Sequence, residues 1–475
     1  MSTRRQFLKQ MGLASAGLVI PNVGKVMATP MTSKEHESAQ SDKVKIAYIG
    51  IGNRGEQDID EFKKTGMVDV VALCDVDLDG KQAQKVLNMY PNAKRFRDFR
   101  EMFENYGDHF EAVCAAVPDH MHFPVAMMAL HYGKHIYLEK PMCRTFHEAE
   151  LMMAAAKKRP DVVTQVGNQG HSEENYFQFK AWLDAGIIKD VTAVTAHMNN
   201  WRRWHPYDYK MQHMPDGDPL PKNMDWNTWL GACQWHPYSE KYHQGNWRSW
   251  YDFGMGALGD WGAHILDTIH EFLDLGLPYE ITMKYAKGHN DFFFPYSSTI
   301  LFRFAARGGM PPVDVTWYDG TDNMPPLPKG YGTSEYNADI PSTNQGDTPV
   351  AKVNPGKIIY SRDLTFKGGS HGSPLEIIPS EKAKEMKSKL PVVPESPSNH
   401  YENFLRACMG MEKTRSPFEI NGVLSQVFCL GVIAQRLNTQ LFFDPRTKQF
   451  TNNAFANSLL AGMPPRQGWE EFYKM

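Results

Sequence analysis

Short β-branched apolar runs alternate with polar, helix-compatible stretches over the first third of the chain. Val44–Ile49 is the first run and residues 68–73 the second, with a helix-like stretch over 56–64 between them. A third strand is expected over 111–117, a helix follows as far as His131, and a fourth strand covers His135–Leu138. This alternation predicts an α/β fold, with a parallel sheet and helices on its faces. The pattern changes after residue 166. Residues 191–197, 280–285, 297–304 and 313–317 read as strands, and 399–408 and 422–437 as helices. Residues 319–356 are rich in Pro, Gly, Asn, Asp and Thr without periodicity, and read as a long loop.

The sharpest local signal follows the first strand. Gly50-Ile51-Gly52-Asn53-Arg54-Gly55 separates strand from helix, and Asp75 stands 20 residues after the third glycine, at the end of the second strand. Gly50 permits the tight turn, Gly52 lets the backbone approach a pyrophosphate, and Gly55 lets helix pack on strand. The helix N-terminus offers free N–H groups to phosphate. Asp75 suits the ribose hydroxyls of NAD, while Arg54 leaves a 2'-phosphate, and so NADP, open. The first domain, 43–165, is therefore expected to be a Rossmann domain. Pro118, His120, His122, Glu139 and Lys140 follow the third and fourth strands, where ligands of such sheets lie. His120 and His122 equally suit a helix-capping turn beside the cofactor.

The N-terminus reads as an address. Arg4-Arg5, then Phe7-Leu8-Lys9 and a weakly apolar stretch, look like a twin-arginine signal over 1–28, followed by a linker over 29–42. That implies passage through the twin-arginine translocase, a periplasmic location and a cofactor loaded before export. Beyond the signal no apolar run is long enough to span a membrane. A net charge of -3 gives no electrostatic reason to expect nucleic acid or an anionic membrane. The six cysteines form no CxxC pair, and the sequence calls for no metal site.

Several segments together resemble the Gfo/Idh/MocA oxidoreductase family. They are the glycine turn at 50–55, Pro118-Asp119-His120-Met121-His122, Gly133 through Glu139-Lys140-Pro141, and Asp260-Trp261-Gly262-Ala263-His264. The tail from Phe443-Asp444 to Gln467-Gly468-Trp469 resembles the secreted Bacteroidetes and Planctomycete branch. The resemblance implies a C-terminal α+β domain over 166–475 with a large open, mostly antiparallel sheet. It also implies a tail near 440–475 packed on the first domain, a homo-oligomer and a saccharide substrate. Carried over by motif, Lys140, Asp260 and His264 are the catalytic residues.

Alcohol oxidation agrees with that set. A base must take the hydroxyl proton as hydride leaves, and histidine titrates in the right range. Lys140 suits the developing alkoxide. Asp260 and His264, four apart, share a helix face, and Asp267 lies three further on as a substrate candidate. A buried Asp–His pair without chemistry also fits these residues. Seven of the eleven tryptophans fall within 199–251. Most suit a core or an interface, while Trp201 and Trp204 are candidates for stacking on a sugar. Three functions compete. They are oxidation of a secondary sugar hydroxyl (C3 among the carbons considered) with NAD tightly bound, glycoside cleavage by transient oxidation and elimination, and non-catalytic sugar binding.

Overall fold

The computed structural model describes residues 43–198, 208–243, 245–332 and 354–474. The signal and linker readings, Trp201, Trp204 and much of the 319–356 loop lie outside them.

The first domain is built on six strands: β1 Val44–Ile49, β2 Val68–Cys74, β3 Lys94–Phe96, β4 Ala112–Ala115, β5 His135–Leu138 and β6 Thr164–Val166. Their order is β3-β2-β1-β4-β5-β6, all parallel. The order reverses between β1 and β4, which opens a crevice at the strands' carboxyl ends. β4 and β6 are buried at every position, as strands covered on both faces must be.

The second sheet has nine strands. They are β7 Val191–Met198, β8 Glu280–Lys287, β9 Ser297–Phe304, β10 Val313–Asp319, β11 Gly356–Ser361, β12 Thr365–Gly369, β13 Glu376–Ile378, β14 Gln440–Asp444 and β15 Gln449–Phe450. The order is β13-β12-β11-β7-β10-β9-β8-β14-β15. Only β7 and β10 pair in parallel, so the sheet is mostly antiparallel, as expected. β10 alternates buried and half-buried residues, the signature of one core-facing side. That side packs on the helices Gly256–Ile265 and Phe418–Leu437. The latter is also the one described helix long and apolar enough to cross a membrane, but most of it is buried in this core.

Two features differ from the expected domain division. The first domain is completed by distant segments: helix His400–Cys408 packs Tyr401 and Phe404 against Phe62 and Tyr137. The tail divides as well. Its strand β14 belongs to the large sheet, whereas Trp469 and Phe472 bury against Phe99 of the first domain.

Candidate active site

The first-domain crevice opens into a cavity of about 910 Å³ that the second domain closes. At one end stands the glycine turn. Gly50 has φ +77°, and a Cβ there would lie 2.4 Å from Ala116 O. A Cβ on Gly55 would lie 1.9 Å from Gly50 O, so this glycine serves helix–strand packing. No side chain caps the N-terminus of helix Arg54–Lys64. Gly52 and Asn53 face the cavity there. A turn of this shape, with free N–H groups at a helix start, fits a pyrophosphate.

Asp75 is placed by the main chain. Its two oxygens accept N–H from Ile51 at 3.0 Å and from Asp77 at 2.9 Å, which leaves lone pairs for a ribose. Arg54 also lines the cavity. It lies 2.9 Å from Asp58 and 3.1 Å from Glu139, and donates to Tyr401 Oη at 2.8 Å. Its guanidinium is thus paired with two carboxylates of the first domain. Asp77, Lys81 and Arg97 line the cavity beside Asp75, so both signs of charge meet at this end.

His120 and His122 do not line the cavity, contrary to their reading as cofactor ligands. Both are buried, with both ring nitrogens against main-chain carbonyls: Trp229 and Phe253 for His120, Pro141 and Val117 for His122. Burial pushes their pKa values down to about 3 and about 4, the carbonyls at the ring nitrogens oppose that shift, and both histidines serve as anchors of the turn. Pro118 and Glu139 do line the cavity.

At the other end the motif residues converge. Lys140 Nζ donates to Asp260 Oδ1 at 2.7 Å and to Asp260 O at 2.8 Å. Arg248 Nε lies 3.2 Å from the same Oδ1. Asp260 and His264 are one turn apart on helix Gly256–Ile265 and line the same space. Burial lowers the Lys140 pKa, Arg248 adds to this, and Asp260 opposes it. Burial holds His264 well below the usual histidine range, with His371 and Lys140 contributing. Its Nδ1 is buried and has no protein partner. A neutral imidazole, a cation and a carboxylate thus share one wall.

The sequence reading missed His371. It sits at φ +53° in the turn Gly369-Ser370-His371-Gly372, and its ring stacks on His264 with centroids 3.9 Å apart. The glycine-flanked histidine was the available signal. Arg248 and the cavity-lining Trp229 and Trp247 were also missed.

Asp267, read as a substrate ligand, lies off the cavity. It is fully buried, 3.6 Å from His171 Nε2, and accepts the Thr268 N–H at 2.7 Å. The helix breaks at Leu266, so Asp267 does not continue the face of Asp260 and His264. Among the described residues, no group of three or more His, Cys, Asp or Glu is placed to hold a metal ion.

Comparison with known proteins shows the family and the fold. Residues 44–167 match the family model described as oxidoreductase family, NAD-binding Rossmann fold. Residues 177–343 match the oxidoreductase family C-terminal alpha/beta domain. An inositol 2-dehydrogenase/D-chiro-inositol 3-dehydrogenase of Lactiplantibacillus plantarum is 30% identical over 172 residues, covering 36% of this chain and 48% of that protein. A glycosyl hydrolase family 109 protein of Shewanella baltica is 26% identical over 190 residues, 36% of this chain and 40% of that one. The matched stretch therefore spans less than half of either relative. The solved WlbA dehydrogenase of Bordetella pertussis, in complex with NADH and UDP-GlcNAcA, superposes with a TM-score of 0.54. At 14% identity the match covers 85% of this chain and 99% of that one, and it shows a shared fold. From the glycine turn to the Asp260–His264 helix, this chain belongs to the Gfo/Idh/MocA family of NAD-binding oxidoreductases.

Proposed function

We propose that the protein oxidises a secondary hydroxyl of a sugar or glycoside, using NAD held tightly in the crevice, and that it works in the periplasm after twin-arginine export. The observation that carries this reading is the meeting of Lys140, Asp260 and His264 in the cavity that also holds the glycine turn and Asp75. NAD is favoured over NADP because Asp75, held by two main-chain N–H groups, is placed to accept hydrogen bonds from the ribose hydroxyls.

A bound nicotinamide supplies the acceptor for the two electrons of the C–H bond. The protein's own residues handle the proton and the charge. His264 is neutral and takes the hydroxyl proton. Lys140, oriented by two bonds to Asp260, faces the same oxygen and stabilises the charge that grows on it. Arg248 Nε lies beside the same carboxylate and helps to fix it. Similarity to inositol dehydrogenases and to WlbA, whose structure holds a nucleotide sugar, supports a polyhydroxylated substrate. A homo-oligomer is part of the proposal.

The similarity to family 109 glycosyl hydrolases supports a second reading, cleavage by transient oxidation and elimination. One assay separates the two. Nucleotide absorbance and released aglycone are followed together on a panel of glycosides. Net reduction of the nucleotide without aglycone supports the dehydrogenase; aglycone release at constant nucleotide supports cleavage. A protein that binds nucleotide yet shows neither response with any saccharide overturns both.

A further inference from the structure

Residues 224–253 carry an aromatic body of their own, in which Trp226, Trp229, Tyr242, Trp250 and Phe253 pack together. It belongs to the second domain by sequence but is fastened to the first at three places. Beside β2, the Asp225 N–H donates to Val76 O at 2.9 Å, and Arg97 donates to the carbonyls of Asn223 and Val76. At the turn after β4, His120 Nε2 donates to Trp229 O at 2.7 Å, and the His120 main-chain N–H donates to Phe253 O at 3.2 Å. From the tail, Arg466 donates to Gly231 O at 2.8 Å and to Asn227 O and Oδ1, both at 2.7 Å. Its main-chain N–H reaches Ala232 O at 3.0 Å. Gly231 and Ala232 directly follow helix Trp226–Leu230, and Asn227 lies within it, so one arginine ties the helix to the segment after it. Three residues later Trp469 is buried in the first domain, under the Arg100 guanidinium. The aromatic body is therefore tied down from both sides.

What it covers is the Asp75 end of the crevice. Trp229, His243 and Trp247 line the same cavity as Asp75 and Asp77, and His243 is close enough to feel both carboxylates. The acid ending β2 marks the adenosine half of a dinucleotide in such a sheet. The second domain thus supplies the opposite wall for that half, through two indoles and an imidazole that can pack on a ribose or a base.

We propose that residues 224–253 are a clamp over the adenosine half of the dinucleotide, that Arg466 is its latch, and that the clamp slows nucleotide release. The proposal rests on the nucleotide-binding reading above. Release of NADH is measured by stopped flow, read as lost energy transfer from tryptophan when excess NAD displaces it. The proteins compared are the wild type, Arg466→Gln and Trp247→Ala. Arg466 lines no part of the cavity, so its replacement reaches the nucleotide only through the clamp. Arg466→Gln is expected to release NADH at least tenfold faster and to raise amide exchange across 224–253. Its kcat at saturating nucleotide should stay within twofold of wild type. Trp247→Ala is expected to release faster as well. Equal release from all three proteins overturns the clamp while leaving nucleotide binding intact. Failure of wild type to bind NADH at all overturns the underlying reading instead. Should Arg466→Gln melt far below wild type, Trp247→Ala alone decides, and unchanged release from it overturns the clamp.

Discussion

Lys140 makes two hydrogen bonds to one residue: its ammonium reaches both the carboxylate and the main-chain carbonyl of Asp260, at 2.7 and 2.8 Å. The double contact fixes the amine against the first turns of the Asp260–His264 helix, so its position survives loss of either bond. Lys140→Met is expected to lower kcat by about 10²–10³-fold, the usual cost of removing a positioned charge from a developing oxyanion. Nucleotide affinity should change less than threefold, because the adenosine half binds elsewhere. NADH titration beside steady-state kinetics checks both. A comparable loss of affinity would place Lys140 on the nucleotide rather than on the substrate.

His264 works as a base only while neutral. Burial, His371 and Lys140 all depress its pKa far below the ordinary value. The acidic limb of kcat/KM is therefore expected well under pH 6.5, with rate lost only as pH falls through the depressed value. His371→Phe keeps a ring against His264 but removes one group that lowers its pKa, so the limb should move to higher pH. An unmoved limb would mean that His371 exerts no electrostatic influence.

The glycines of the turn separate by what their Cβ would meet. On Gly55 it would fall 1.9 Å from a main-chain oxygen, and nothing there can yield. Gly55→Ala should therefore destabilise the whole first domain. On Gly52 it meets only Gln82, whose Cβ and Oε1 both lie at 3.0 Å, so a shift of a few tenths of an ångström makes room. Gly52→Ala should melt within a few degrees of wild type yet bind NADH about tenfold or more weakly. Melting curves and NADH titration of the two variants distinguish these outcomes.

The residues legible from sequence were those fixed by local geometry. Val44–Ile49, the glycine turn and Asp75 form one strand–turn–helix–strand unit, so spacing alone placed them. Strands β3 and β6 have only three residues each, too few for a period, and β11 to β13 follow a stretch without one. His120 was misread because a position at a strand end does not say which way a ring turns. Its nitrogens point back to Trp229 and Phe253, more than 100 residues away. His371 reaches the site only because β11 and β12 sit beside β7 in the large sheet. Asp267 was assigned by helical spacing that the break at Leu266 removes.

The corrected place of Asp267 carries its own prediction. Its carboxylate is fully buried beside His171, with Lys357 close enough to feel its charge. Asp267→Ala removes one of the two carboxylates beside His171, the other being Glu271 at 3.3 Å, and the acid nearest Lys357, which should cost about 1–3 kcal/mol. The variant should melt several degrees lower while KM stays within about twofold. A raised KM at unchanged melting temperature would restore Asp267 to the substrate.

Stability as a whole should fall in mild acid. Burial holds His120 and His400 at about 3 and His122, His197 and His270 at about 4, against an ordinary 6.5. Below pH 6.5 the unfolded chain binds protons at these five rings that the folded chain refuses, so stability drops as pH falls. Three carboxyls act in the opposite sense. Burial raises Asp58 to about 8, Asp119 to about 7 and Asp319 to about 6, so near pH 5 the folded chain holds protons there that the unfolded chain has lost. The histidines outnumber these carboxyls and His264 adds to their side, so stability is expected to fall between pH 6 and 5. Scanning calorimetry should show Tm falling over that unit. A Tm that rises or stays level there would show that the buried carboxyls, rather than the histidines, set the acid response.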